Sequence, residues 1–148
     1  MTTAFVTAGA GFLLAVLWFD LMFDVQIRRA ERSDEAVASI AGFYRRVTIE
    51  AYPMNRLVAL AMVAALAALV VQVAEGDAPR WASIASLVLA LGAIGLAVAH
   101  TFGNGVRLGT RRDPPARQVE LARLMLRDHL LCLAAIVAVL VLQLGFAR

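Results

Sequence analysis

Two aspartates stand one helical turn apart, Asp20 and Asp24, in the run WFDLMFDVQIRR; His100 and Asn104 repeat that spacing in HTFGN, His129 follows Asp128 in RLMLRDHLLC, and Asn55 lies in YPMNR. Carboxylates and imidazoles from facing helices are how bundles build metal sites, so Asp20, Asp24, His100 and His129 form one candidate metal-ligand set. His100 and His129 are the two histidines of the chain, and a haem held between them, with Asn104 beside it, is a second candidate. The third is a pocket for a lipophilic substrate or a quinone. There His100, Asp20 and Asn55 would be the catalytic groups, a histidine serving as general base and the asparagines orienting an oxygen. The chain has no Glu-x-x-His motif and no Cys/His zinc spacing, and its single cysteine, Cys132, offers no disulfide.

The elements that must position these groups are apolar throughout. Hydrophobic residues make up 61% of the 148 positions and charged residues 17%, against the 45–50% apolar content of ordinary domains. Four long apolar segments predict spans at 4–25, 54–74, 81–102 and 128–147, each close to the roughly 20 residues that cross a hydrocarbon core. A water-soluble bundle would keep a polar stripe on every helix, and these segments are apolar all round. The first has no positively charged start and is too long for a secretory h-region, so it reads as a retained span. The expected fold is all-α: one integral membrane four-helix domain over 1–148, up-down-up-down, with connections at 26–53 and 103–127.

Orientation follows from the arginines. All 14 basic residues are Arg: Arg28, Arg29, Arg32, Arg45, Arg46 and Arg56 lie between the first two spans, and Arg107, Arg111, Arg112, Arg117, Arg123 and Arg127 between the last two. Only Arg80 and Arg148 fall on the other side. By the positive-inside rule both long connections are cytoplasmic and both termini outside, as expected for a bacterial inner-membrane protein. The net charge of +3 is then a topology signal, and no nucleic-acid partner is expected. Trp81 suits the outer aromatic belt, and Tyr44 and Tyr52 the inner one.

The connections carry their own pattern. Val37, Ile40, Ala41, Tyr44 and Val47 recur at helical spacing opposite Glu35, Ser39, Gly42 and Arg46, which predicts an amphipathic helix lying on the cytoplasmic interface. Tyr52-Pro53 ends it. In GTRRDPPARQ, Asp113 reads as an N-cap with Pro114 at the first helical position. The helix that follows can run unbroken into the fourth span and extend into the cytoplasm.

Depth can be counted along the spans. At 1.5 Å per residue Asp20, Asn55, His100 and His129 all lie about 26–28 Å from the opposite ends of their spans, so with Asp24, Asn104 and Asp128 they share one cytoplasmic layer. On the third span Ser83, Ser86, Ala90, Ala93, Ala97, His100 and Asn104 follow spacings of three and four. This small-residue stripe suits close helix packing, and it would point His100 and Asn104 inward. The outer half offers little polarity beyond Gln72, Gln143 and the two serines.

Ion pairing gives a plainer account of the acids: Arg28 follows Asp24 by four, Arg127 precedes Asp128, and Arg56 could reach Asp20. Over the last third of the chain, HTFGNGVRLGTRRD followed by RLMLRDHLLC is similar to the Asn and His positions of small four-helix membrane proteins of the anthrone-oxygenase-like group. The first half, notably WFDLMFDVQ and FYRRVTIEAYPMNRL, does not follow that family's pattern. Two functions of different class fit the chain. One is a cofactor-binding or lipophilic-substrate membrane enzyme of redox type, with a metal ion, haem or quinone. The other is a non-catalytic accessory or scaffold subunit, a homo-oligomer or the companion of another membrane protein, held by helix packing and anionic lipid. A small transporter ranks below both, because the bilayer midplane is apolar.

Overall fold

The computed structural model describes residues 2–29, 33–76 and 78–147. The described residues are 93% helix, with no strand among them. Among the described residues seven α-helices follow in order: α1 (Thr2–Asp24), α2 (Gln26–Arg29), α3 (Ser33–Arg45), α4 (Tyr52–Glu75), α5 (Arg80–Leu96), α6 (Phe102–Thr110) and α7 (Pro115–Phe146). Wide π-helical turns at Arg46–Glu50 and Ala97–Thr101 join α3 to the start of α4 and α5 to α6. Four of the helical stretches are long and apolar enough to cross a membrane. The third continues past the expected end at 102, because α5, the π turn and α6 form one rod to Thr110.

The four long helices close a ring in which α1 packs on α4 and α7, and α5 on α4 and α7. Their shared core is Val6, Ala10, Leu13, Leu69, Ala90, Ala93, Cys132, Ile136 and Val139. Small residues bring backbones close, as expected where helices associate by van der Waals packing: a Cβ on Gly9 would stand 3.1 Å from that of Ala65.

One end of the ring is fastened by side chains from all four helices. The Gln72 amide donates to Gln143 Oε1 at 3.0 Å and to Thr3 Oγ1 at 3.1 Å; the Gln143 amide donates back to Gln72 Oε1 at 3.1 Å and to Ser86 Oγ at 3.0 Å. Thr3 also donates to the Ala147 carbonyl at 3.2 Å. Thr3, Gln72, Ser86 and Gln143 are thus gathered into a single latch in which both glutamines are buried, while the buried Ser83 hydroxyl stays outside it.

At the opposite end a second core forms around α3. Val37, Ile40 and Tyr44 bury against Leu108 of α6 and Leu121, Ala122 and Met125 of α7, with Leu21 and Ile27 completing it. The segment expected to lie on a lipid interface is helical, but its apolar face is covered by α6 and α7; that is a correction, and its cause is the length of α7. This single 32-residue helix carries apolar side chains well beyond the ring, and α3 covers them. Each such side chain contributes about 1.5–3 kcal/mol by leaving water.

The contact between α3 and α6 needs glycine. A Cβ on Gly109 would lie 2.8 Å from the Arg45 nitrogen and 3.1 Å from the Tyr44 carbonyl carbon, and one on Gly105 would lie 3.3 Å from Tyr44 Cδ1. Gly105 and Gly109 form a Gly-x-x-x-Gly pair that lets the two helices touch. Asp113 does not cap α7. Its carboxylate receives Arg107 Nε at 3.1 Å and Nη2 at 2.6 Å, closing the turn between α6 and α7, while Pro114 occupies the cap position without a side-chain bond. A proline at Pro115 leaves no first amide to satisfy, so a capping oxygen has less to do there. The Arg107 guanidinium holds the Asp113 carboxyl below the usual carboxylate range.

Candidate functional site

The polar groups meet at the seam between the two cores. Asp20 and Asp24 share a face of the last turns of α1, α3 supplies Tyr44, and α7 supplies His129. Asp24 is wholly buried. It accepts the Tyr44 hydroxyl on Oδ1 at 2.9 Å and the His129 Nδ1–H on Oδ2 at 2.6 Å, and Tyr44 Oη lies 3.4 Å from the same nitrogen. A carboxylate bonded to Nδ1 fixes the proton on that nitrogen and leaves Nε2 to accept or deliver one. That Nε2 faces Asp20, whose Oδ2 stands 3.8 Å away, longer than a hydrogen bond. Burial, followed by the charges of Asp24 and Asp20 and the bond to Asp24, raises the Tyr44 phenol well above its ordinary value, so it remains a donor.

His129 and Asp20 open onto a cavity of about 280 Å³. Its walls are mostly apolar and aromatic, with Phe19, Phe43, Tyr44, Val58 and Phe102 around the polar groups. A smaller chamber of about 60 Å³ adjoins it and reaches Leu13, Met62 and Cys132 between the long helices. Both chambers are lined by Asp20, Thr101 and His129, so these three form a polar neck between them. The Thr101 hydroxyl is buried and finds no hydrogen-bond partner. Asn55 lies at the rim, exposed, and donates to the Thr48 carbonyl at 3.1 Å. A separate cleft of about 460 Å³, lined in part by Asp34, Arg111, Asp113 and Gln118, lies at the turn between α6 and α7 and shares none of these residues.

The expected layer is therefore only partly assembled. Asp20, Asp24 and His129 come together and Asn55 reaches the cavity, but His100 is exposed, and neither it nor Asn104 lines the two chambers. The reason is the π turn at Ala97–Thr101. A turn with i to i+5 bonding takes up an extra residue, so the buried stripe of Ser83, Ser86, Ala90, Ala93 and Ala97 continues through Thr101, Gly105 and Leu108. Thr101 takes the inward place expected of His100. A haem between His100 and His129 has no support in this arrangement, and among the described residues no group of three or more His, Cys, Asp or Glu is placed to hold a metal ion.

The simple ion-pair account holds for Asp128, which is buried and pairs with Arg127 at 2.8 Å, and is revised for Asp24, whose bonds run to Tyr44 and His129 in the interior. Tyr44 leaves the aromatic belt for the core, at 3% exposure. Sequence reasoning missed its role, although its place on the apolar stripe of α3 was the available signal: a phenol buried there needs a partner for its hydroxyl. The side chain of Tyr52 lies outside the described residues. Trp81 is exposed and packs edge-on against Phe146, with ring centres 5.0 Å apart.

Comparison with known proteins adds no family: no family model, no curated protein and no solved structure matches the chain. The resemblance of the HTFGN and RDHLLC runs to the anthrone-oxygenase-like group rests on those short runs alone.

Proposed function

We propose that this chain is an inner-membrane enzyme that binds a lipophilic small molecule beside His129 and performs acid–base chemistry on it. The observation that carries the reading is the anchored imidazole. His129 is held through Nδ1 by Asp24 and presents Nε2, with Asp20, to a largely apolar cavity. A positioned histidine with a fixed tautomer is the usual general base, and an apolar cavity with few polar groups is the usual small-molecule site. A quinone remains within this class of ligand. Among the described residues no metal or haem ligand set is assembled, so the proposal draws on neither.

The bilayer placement belongs to the same proposal. The chain crosses four times, up-down-up-down, with the latch of Thr3, Gln72, Ser86 and Gln143 towards the outside and the site near the cytoplasmic edge. The distribution of 12 of the 14 arginines supports that orientation, and α7 then extends into the cytoplasm under α3.

A structural role has one observation in its favour: both oxygens of Asp24 are already bonded, so Tyr44, Asp24 and His129 would by themselves clasp α1, α3 and α7. That would suit a scaffold subunit, whose partner is a second copy or another membrane protein.

The two separate on one preparation. Protein purified in mild detergent is extracted with organic solvent and analysed by mass spectrometry, alongside Val58→Trp, which fills the cavity. The enzyme reading expects a lipophile near one per chain in the wild type, lost in the variant. Equal extracts from both, with a co-purifying protein at fixed ratio, would replace it by the scaffold reading.

A further inference from the structure

The charge and lining of the cavity select among lipophiles. All basic residues of the chain are arginines, and most lie towards the site end of the helices; yet among the described residues no arginine lines the cavity, and Asp20 is its carboxylate. Asp24 stands directly behind His129. The neck therefore presents one carboxylate and one imidazole, with a second carboxylate bonded behind the imidazole. Four aromatic rings, Phe19, Phe43, Tyr44 and Phe102, line the larger chamber, and Phe102 borders the neck itself. Phe43 is fixed in place by stacking on Phe23, with ring centres 4.2 Å apart and planes 9° from parallel. Rings and a carboxylate lining one chamber are what a cation is attracted to, through the negative faces of the rings as well as the charge.

The geometry points to a lipophilic amine as the ligand, its ammonium group seated in the neck between Asp20 and His129; this rests on the cavity being a small-molecule site, as proposed above. The 3.8 Å between Asp20 Oδ2 and His129 Nε2 is too long for a direct hydrogen bond, but a nitrogen about 2.8 Å from each would subtend an angle of about 90°, within reach of two N–H donors of one ammonium. A lipid carboxylate would meet Asp20 with like charge and no guanidinium to balance it, which disfavours fatty acids by repulsion.

The test uses three probes of equal shape, 4-hexylbenzylamine, 4-hexylbenzyl alcohol and 4-hexylbenzoate, titrated into the full-length protein in detergent by calorimetry. The amine should bind at least about tenfold tighter than the alcohol, the effect of a hydrogen bond to a charged partner, and the benzoate weakest. Because partition into detergent is common to wild type and variant, the decisive quantity is the amine-to-alcohol ratio. It should collapse towards one in Asp20→Asn and fall by a few-fold in Phe102→Leu. An unchanged ratio in Asp20→Asn, or benzoate binding as well as the amine, overturns the amine assignment while the cavity reading stands. Failure of all three probes to bind, or binding undiminished in Val58→Trp and Val16→Phe, overturns both.

Discussion

Gly109→Ala is expected to be the most informative single methyl group in the chain. The new Cβ would sit 2.8 Å from the Arg45 nitrogen and 3.0 Å from its Cα, and carbon contacts relax only at about 3.5–4.0 Å. The opposing atoms are backbone, so no side chain can rotate away and α3 must retreat from α6 by roughly 0.7 Å. Overpacking of this kind costs about 1–3 kcal/mol, here at the upper end, offset by about 1 kcal/mol because alanine is the better helix former. The net loss is about 2 kcal/mol, or roughly 4–8 °C in melting temperature for a chain of this size. The same retreat would stretch the 2.9 Å bond from Tyr44 to Asp24 beyond ordinary hydrogen-bond length. Two neighbours serve as controls. Gly103 faces open space, so Gly103→Ala should raise the melting temperature by up to about 2–4 °C. Gly105 meets only side-chain atoms, at 3.3 Å and beyond, so Gly105→Ala should be near neutral. Thermal unfolding in one detergent, followed by near-ultraviolet circular dichroism, reads all three. If Gly109→Ala melted at or above Gly103→Ala, the close contact of α3 with α6 would be wrong.

Two further predictions concern the latch and the phenol. Gln72→Leu and Gln143→Leu each strand one buried amide and should cost about 1–3 kcal/mol, while the double variant should cost less than the sum of the two; strict additivity in a double-mutant cycle would mean the amides do not pair. Tyr44 holds its proton more tightly folded than unfolded, so between the ordinary phenol value near 10 and its own raised value only the unfolded chain releases that proton. Stability from this group is full below about pH 10 and falls as pH rises above it. Ultraviolet titration of phenolate should show Tyr44 ionising only with alkaline unfolding; a reversible transition near pH 10 that disappears in Tyr44→Phe would contradict its burial.

The long helices were legible because apolar runs of spanning length with few charges have few alternative explanations, and counting 1.5 Å per residue placed Asp20 and His129 at a common depth. Direction was harder to read than depth. Nothing in AVAHT signals a wide turn, yet one extra residue there exchanges His100 for Thr101 at the neck. Tyr44 meets His129 across 85 residues of chain and Gln72 meets Gln143 across 71, pairings that local periodicity does not encode. Gly105-x-x-x-Gly109 was the one readable sign that α6 must receive another helix, and it names α3 only once the apolar stripe ending in Tyr44 is set against it.

The paired glutamines also act as a ruler. Because each amide both gives to and receives from the other, sliding α4 along α7 by a single turn, about 5.4 Å, would break both bonds at once, and Thr3 and Ser86 extend the same constraint to α1 and α5. Gln143 lies 14 residues beyond His129, about 21 Å along one continuous helix. The register of the four helices is thus set at the end remote from the chemistry as well, and the gap between Asp20 and His129, fixed locally by the bond of Asp24 to His129, is backed by a fastening that touches neither.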